Sequence, residues 1–173
     1  MIAIRLLSVG DVDAYRSLRL EALRDSPTAF CSSHEEESPR PVESFMARLR
    51  ENQVFGAFTE NNRLVGILGF VRETRIKRAH TASLVGMYVA PAFRRQGIGG
   101  ALLDHALLFA RGQPGLRSVT LSVMSSQPAA SRLYRSRGFK AFGLEPGALF
   151  FDGKYYDEEL LILRLDELST PIP

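Results

Sequence analysis

Apolar positions along this chain first recur with helical spacing and then change to the denser or alternating spacing of strands. Ile2 to Leu6 is a short opening strand. Between Asp11 and Arg24, Tyr15, Leu18 and Ala22 fall three and four residues apart, which predicts a helix with one inward stripe, ended by Ser26-Pro27. Phe30 to Arg40 reads as an acidic loop carrying Glu35-Glu36-Glu37, and Val42 to Arg50 as a second, short helix. Val54 to Thr59 and Leu64 to Val71 are strand-like, joined at Asn61-Asn62, a pair suited to a tight turn with positive φ. Thr81 to Val89 is a further strand, ended by Pro91. Gly97 to Arg111 returns to helical spacing, with Leu102, Leu103, Ala106, Leu107 and Ala110 on one face. Val119 to Val123 is a buried strand, and Ala129 to Arg137 a helix stopped by Gly138. Phe139 to Phe142, Ala148 to Phe151 and Leu160 to Leu165 are closing strands, with Asp152-Gly153 as a hairpin turn. The order βααβββαβαβ, plus closing strands, predicts an α+β fold with a mixed, largely antiparallel sheet flanked by helices.

Composition narrows the class. A chain of 173 residues is expected to form one domain, here over 1–168, with 169–173 (Ser169 to Pro173) as a flexible tail. Apolar residues make up 45% and charged residues 24%, the balance of a globular chain. The single cysteine, Cys31, excludes an intrachain disulfide and a Cys-rich zinc site. Without spaced ligands, no metal is expected; His34 and His105 show no partner spacing. No apolar run approaches the ~18 residues of a membrane span, and the first five residues lack a signal peptide's layout. The expectation is a cytoplasmic protein with no membrane partner. Net charge is only +3. The densest basic cluster, Arg72, Arg75, Lys77 and Arg78, reads as a solvated turn between strands, so no nucleic-acid partner is expected.

The most informative stretch runs from Met87 to Leu103. A strand ends, a turn follows, and the glycine-rich Arg94-Arg95-Gln96-Gly97-Ile98-Gly99-Gly100 opens into an amphipathic helix. The first turn of a helix carries unpaired N–H groups and the positive end of the macrodipole. Glycines let an anion approach those groups, and Arg94 and Arg95 add charge, so a phosphate or pyrophosphate site is expected. A P-loop is excluded because the helix start has no lysine. A dinucleotide fingerprint fails because Leu102 stands where its third glycine belongs.

Val89-Ala90-Pro91-Ala92-Phe93-Arg94-Arg95-Gln96-Gly97-Ile98-Gly99 resembles the coenzyme A loop of the GNAT superfamily of N-acetyltransferases, and a leucine-rich helix follows it as in that family. A second stretch, Gln127-Pro128-Ala129-Ala130-Ser131-Arg132-Leu133-Tyr134 with Gly138-Phe139 beyond, resembles the family's later motif. The element order follows the GNAT pattern too, so the resemblance spans essentially the whole chain. It implies a GNAT-like α+β fold and acetyl transfer from acetyl-CoA to an amine, with no metal. By position, Met87, Tyr88 and Val89 would offer backbone groups to the acetyl and pantetheine portion. Arg95, Gln96, Gly97, Ile98, Gly99 and Gly100 would wrap the pyrophosphate, with Arg94 beside them. Tyr134 would approach the thioester sulfur as general acid. Gln127 departs from the family's usual Asn by one methylene, which leaves its contact with cofactor or substrate open.

Acetyl transfer needs a neutral amine, a polarised carbonyl and help for the thiolate. A lysine-like amine with pKa ~10.4 is neutral in about one molecule per 2,500 at pH 7, whereas an α-amine at ~7.7–8 is neutral in roughly a tenth. The Val89 N–H is the candidate to face the developing oxyanion. Tyr134 has an alternative reading as a packing residue, four positions after Ala130. No Asp or Glu lies on the Thr81–Val89 strand, where several GNAT relatives carry a catalytic carboxylate. Candidates for the base are therefore Glu35, Glu36, Glu37, Glu73 and His80. Phe30 and the three glutamates are expected to border the acceptor groove and attract a cationic amine. The stretch from Ala148 through Tyr155, Tyr156 and Asp157-Glu158-Glu159 would form the other wall. The acceptor is a small-molecule or protein/peptide amine. Other readings are transfer of a longer acyl group and a non-catalytic acyl-CoA-binding regulatory module. Related folds often pair as homodimers, so that option stays open.

Overall fold

The computed structural model describes residues 1–165. The expected tail, and the last residues of the expected domain, lie outside them. In chain order the elements are β1 (Ala3–Leu6), α1 (Val12–Asp25), α2 (His34–Glu37), α3 (Val42–Glu51), β2 (Gln53–Phe58), β3 (Leu64–Arg72), β4 (Thr81–Val89), α4 (Ile98–Arg111), β5 (Ser118–Met124), α5 (Pro128–Ser136), β6 (Lys140–Phe151) and β7 (Lys154–Arg164). The strands form one sheet in the order β1-β2-β3-β4-β5-β7-β6, antiparallel except for the β4–β5 pair. This is the mixed α+β architecture expected.

Strands β2 and β3 are covered on both faces, so nearly every position along them is buried. Phe55 and Ala57 join the core under α4, with Leu102, Leu103 and Ala106. Val54 and Phe58 face the opposite way and pack with Tyr15, Leu18, Ala22 and Phe45 of α1 and α3. The stripes expected on the first helix and on α4 are the ones that fill these two layers.

Two departures from the expected elements have local causes. Within the expected acidic loop, His34–Glu37 forms a single helical turn. A reciprocal capping box nucleates it: Glu36 N–H donates to Ser33 Oγ at 3.2 Å, and Ser33 N–H donates to the Glu36 carboxylate at 2.7 Å. The closing strands are also longer than expected. β6 is one strand with an irregularity between Glu145 and Leu149, where Pro146 and Gly147 (φ 63°) interrupt the apolar pattern. The Gly147 N–H there donates to Asp157 at 2.9 Å.

The feature that positions the site is the parting of β4 from β5. They pair only from Thr81 to Ser83, against Ser118 to Thr120. Beyond that β4 stays with β3 as far as Val89, and β5 stays with β7 as far as Met124, so the two strands diverge. On β4, Gly86 and Met87 stand opposite the single residue Leu68, between the pairs Val85–Gly69 and Tyr88–Ile67. That extra residue is a β-bulge, which bends the strand and breaks its ladder. Gly86 sits there at φ 64°. A Cβ at Gly86 has space, its nearest neighbour being Arg19 Nη1 at 3.7 Å, so only the backbone conformation opposes a side chain. Gly86→Ala is therefore expected to lower the unfolding free energy by about 1–2 kcal/mol, read by urea denaturation.

Candidate active site

At the open end of β4 the chain makes a short turn, Pro91–Phe93, and enters α4 through two left-handed residues, Arg95 (φ 63°) and Gly97 (φ 79°). The first α4 hydrogen bond runs from the Ala101 N–H to the Gly97 carbonyl at 3.0 Å. The N–H groups of Ile98, Gly99 and Gly100 precede that ladder, and no side chain caps the helix. A Cβ at Gly97 would meet no atom within 4 Å, so the loop borders open space. N–H groups without an intrahelical partner, a helix N-terminus and glycines at 97, 99 and 100 fit a pyrophosphate. Arg95 and Gln96 are exposed beside it. Arg94 is used differently from what its charge suggested. It pairs with Asp25 of α1, donates to the Val89 carbonyl at 2.9 Å and lies over the Tyr88 ring, which ties the loop to α1.

The Ala90 N–H donates to Val65 of β3 at 2.9 Å. Antiparallel alternation then turns the Tyr88 backbone toward β3 as well and the Val89 backbone away from it, toward the gap. The Tyr88 side chain is buried among α1 residues and donates to Glu21 at 3.2 Å. Burial first, and then the Asp25 and Glu21 charges, push its pKa up. Gly99 sits close to this strand end, its Cβ position lying 3.5 Å from Leu133, 3.9 Å from Val89 and 4.0 Å from the Met87 sulfur. From the other side Tyr134 of α5 reaches the same point, its hydroxyl donating to the Met87 sulfur at 3.5 Å. Tyr134 is 7% exposed and packs edge-on against Phe139. Burial raises its pKa to about 12. Loop, strand end and tyrosine thus converge.

The Acetyltransferase (GNAT) family matches residues 19–139, more than two thirds of the chain. The chain belongs to the GNAT acetyltransferase family. It is 28% identical over 120 residues to YwnH of Bacillus subtilis (strain 168), named provisionally as a phosphinothricin acetyltransferase, across 69% of this chain and 73% of that protein. Its fold is shared by a GNAT-family acetyltransferase from Streptococcus pneumoniae, with TM-score 0.84 and 22% identity over 95% of this chain and 99% of that one. An N-acetyltransferase from Staphylococcus aureus Mu50 superimposes with TM-score 0.81 at 19% identity, covering 95% and 99%. The protein is therefore an acyltransferase, and members of its family use acetyl-CoA.

In this GNAT acetyltransferase the β4–β5 gap opens into a cavity of about 500 Å³. Its lining includes Val85, Gly86 and Met87 of β4, Ser122 to Met124 of β5, and Gln127, Ala130 and Tyr134 along one face of α5. Phe30, Arg19, Glu37 and Arg48 form the wall from the first three helices and their loop, and Glu158 of β7 stands on another side. Glu37 is 1% exposed. Arg19 donates to its two oxygens at 2.8 and 3.2 Å, and Arg48 adds a bond at 2.9 Å. Burial alone would push Glu37 up, but the hydrogen bonds and charges of both arginines outweigh it and hold its pKa at about 2.

The acidic tract does not act as one cation-attracting surface. Glu35 is exposed outside the cavity, Glu36 caps α2, and Glu37 reaches the cavity already bonded to two arginines. Glu73 and His80 are also poorly placed as bases. Glu73 bonds Thr81 and pairs with Arg78, and His80 just precedes β4 at the end remote from the gap. Seven residue-to-residue steps along the strand take the chain from His80 to Met87, roughly 23 Å. In the C-terminal tract, Asp157 bonds Gly147 and Glu159 pairs with Arg135, leaving Glu158 to line the cavity. Gly86, Arg19 and Arg48 were missed by sequence reasoning. The one available signal was a glycine inside a strand, a mark of a bulge.

The Glu37 cluster has a measurable signature. Because its folded pKa is depressed, its contribution is full above the ordinary carboxylate value near 4.5 and is lost as pH falls toward about 2. Glu37→Gln leaves two buried-side arginines without their anion and is expected to cost about 3–5 kcal/mol at pH 7. Urea denaturation from pH 7 down to pH 3 should show the wild type losing part of this difference and the variant showing a shallower decline.

Proposed function

We propose that this acetyltransferase transfers acetyl from acetyl-CoA directly to the primary amine of a small molecule held in the β4–β5 cavity. The observation that carries the reading is the buried Tyr134 hydroxyl, whose one hydrogen-bond neighbour in the described residues is the Met87 sulfur, at the junction of the glycine loop and the cavity. The Gly97–Gly100 N–H groups hold the pyrophosphate, and the thioester lies along the end of β4. The Val89 N–H faces the gap and polarises the acetyl carbonyl.

The acceptor ammonium first gives a proton to water. Its nitrogen lone pair then attacks the carbonyl carbon, the C–N bond forms, and the C–S bond breaks as the carbonyl re-forms. The nitrogen releases its surplus proton to solvent, leaving an amide. Outright transfer from a phenol at about 12 to a thiolate near ~8.5 runs uphill, so Tyr134 donates a hydrogen bond to the sulfur as charge builds. The thiolate collects its proton from water. Tyr134 thus steadies the leaving group, a narrower role than the general acid expected from the resemblance.

Three measurements test this. Acetyl-CoA should raise the melting temperature of the wild type, and Gly99→Asp should abolish that shift while still folding, because a Cβ there makes only ordinary contact with Leu133. Tyr134→Phe should lower kcat about ten- to hundredfold, the worth of one hydrogen bond to a charged group, with acetyl-CoA stabilisation retained. Because Tyr134 stays protonated below about 12, the pH–rate profile should rise with amine deprotonation and show no basic decline from this group up to pH 10. A packing role for Tyr134 instead predicts a lower melting temperature with kcat per folded molecule unchanged.

A further inference from the structure

Resting on the acetyl-transfer reading, we infer that the acceptor is a small zwitterion of the amino-acid type, whose own oxyanion is bound by Arg19 and Arg48 and whose ammonium is drawn in by Glu158. The argument begins with the charge balance of the cavity wall. Two guanidinium groups share one carboxylate, Glu37, so this wall keeps a net positive charge. The arginines are not sealed away, being 11% and 28% exposed against 1% for Glu37.

The bonds to Glu37 use Nε and Nη2 of Arg19, and Nη1 makes no hydrogen bond among the described residues. That free nitrogen lies 3.7 Å from the Cβ position of Gly86, on the bulge where β4 leaves β5. A donor fork held by Glu37 and by the Phe30 ring, 4.9 Å from its Cζ, is pre-organised for a carboxylate or similar oxyanion. Glu158 lines the same cavity and has no ion-pair partner among the described residues. Its strand neighbour Glu159 is neutralised by Arg135, so the negative charge at that wall comes from Glu158, with Glu145 opposite it on β6 adding to it. The cavity thus carries a cationic cluster of Arg19, Arg48 and Glu37 on the helical wall and an anionic group, Glu158, on β7 that is not bonded to it. A zwitterion matches that separation, whereas a polyamine meets the arginines with like charge.

Thiol release from acetyl-CoA is measured with the twenty standard L-amino acids, with the α-amide of each one turned over, and with spermidine. At least one amino acid should be an acceptor, and its amide should fall about ten- to hundredfold in kcat/KM, mostly through KM, as expected for a lost charged hydrogen bond. Arg19→Lys keeps the charge beside Glu37 but removes the fork, so it avoids the folding defect of an alanine. It should bring the acid-to-amide ratio toward one and leave the KM for acetyl-CoA unchanged. Glu158→Gln should raise the amino-acid KM without changing the melting temperature. Equal use of acids and amides, preference for spermidine, or turnover of amines but of no amino acid would overturn the acceptor class and leave acetyl transfer standing. If no amine of either class releases thiol and acetyl-CoA gives no thermal stabilisation, the transfer reading itself fails.

Discussion

The separation of β4 from β5 is the constraint on which the rest of the site depends. Two parallel neighbours would normally pair along their length, consuming the backbone groups between them. Here pairing stops at Ser83 and Thr120, and each strand is held by its other neighbour instead. The bulge at Gly86 lets β4 bend away without losing β3, at the cost of a left-handed residue inside a strand. The gain is a wedge with backbone donors on one side and α5 side chains at its mouth. A sheet that zipped closed would pair the β4 backbone groups that now face the gap and shut the cavity that Tyr134 lines.

Ion pairs then fix what the wedge faces. Glu37 joins α1, α2 and α3 through Arg19 and Arg48, and it replaces the lost hydration of a buried carboxylate with three hydrogen bonds. At the other end Arg94 and Asp25 tie the glycine loop to α1. Helix α1 therefore anchors both this cavity wall and the loop that precedes α4. Neither cluster needs to contribute much net stability to matter. Each has a geometry that is costly to leave, which is what a site needs from its supports.

How much of this could be read from the chain follows the range of the interaction concerned. The glycine loop and α4 were legible because Pro91, Gly97 and the leucine stripe act within a few residues of one another. The stripes of the first helix and of α4 were legible for the same reason, whereas the two cores that they form on either face of β2 and β3 are decided by packing between distant elements. The turn at 34–37 was hidden because a capping box of four residues is weaker than any periodic signal. The burial of Glu37 was illegible, since its partners lie 18 residues before it and 11 after it on different helices. Three consecutive glutamates looked alike in sequence and met three different environments: solvent, a helix cap and a buried ion cluster. The parting of β4 from β5 was likewise beyond reach, because it is decided by which strands pair, although Gly86 within the strand marked the place.

The lack of a carboxylate on β4 changes how the amine is made nucleophilic. A carboxylate beside the acceptor nitrogen would take its proton but would also stabilise the ammonium form and raise the amine's pKa. The nearest charge to the bulge is instead positive, the free end of Arg19 beside Gly86. In the acceptor pose inferred above, that cation is matched by the acceptor's own oxyanion, so no group on β4 holds the amine in its ammonium form. In the reaction proposed above, deprotonation is accordingly left to water. On the proposed reading the reacting centre is built from neutral groups, the Val89 N–H, the Met87 sulfur and a tyrosine that burial keeps protonated. In dry surroundings such fixed dipoles act strongly on developing charge and need no reorganisation. On the same proposal the ionic groups that line the cavity, Arg19, Arg48 and Glu158, select the acceptor and take no part in the bond changes.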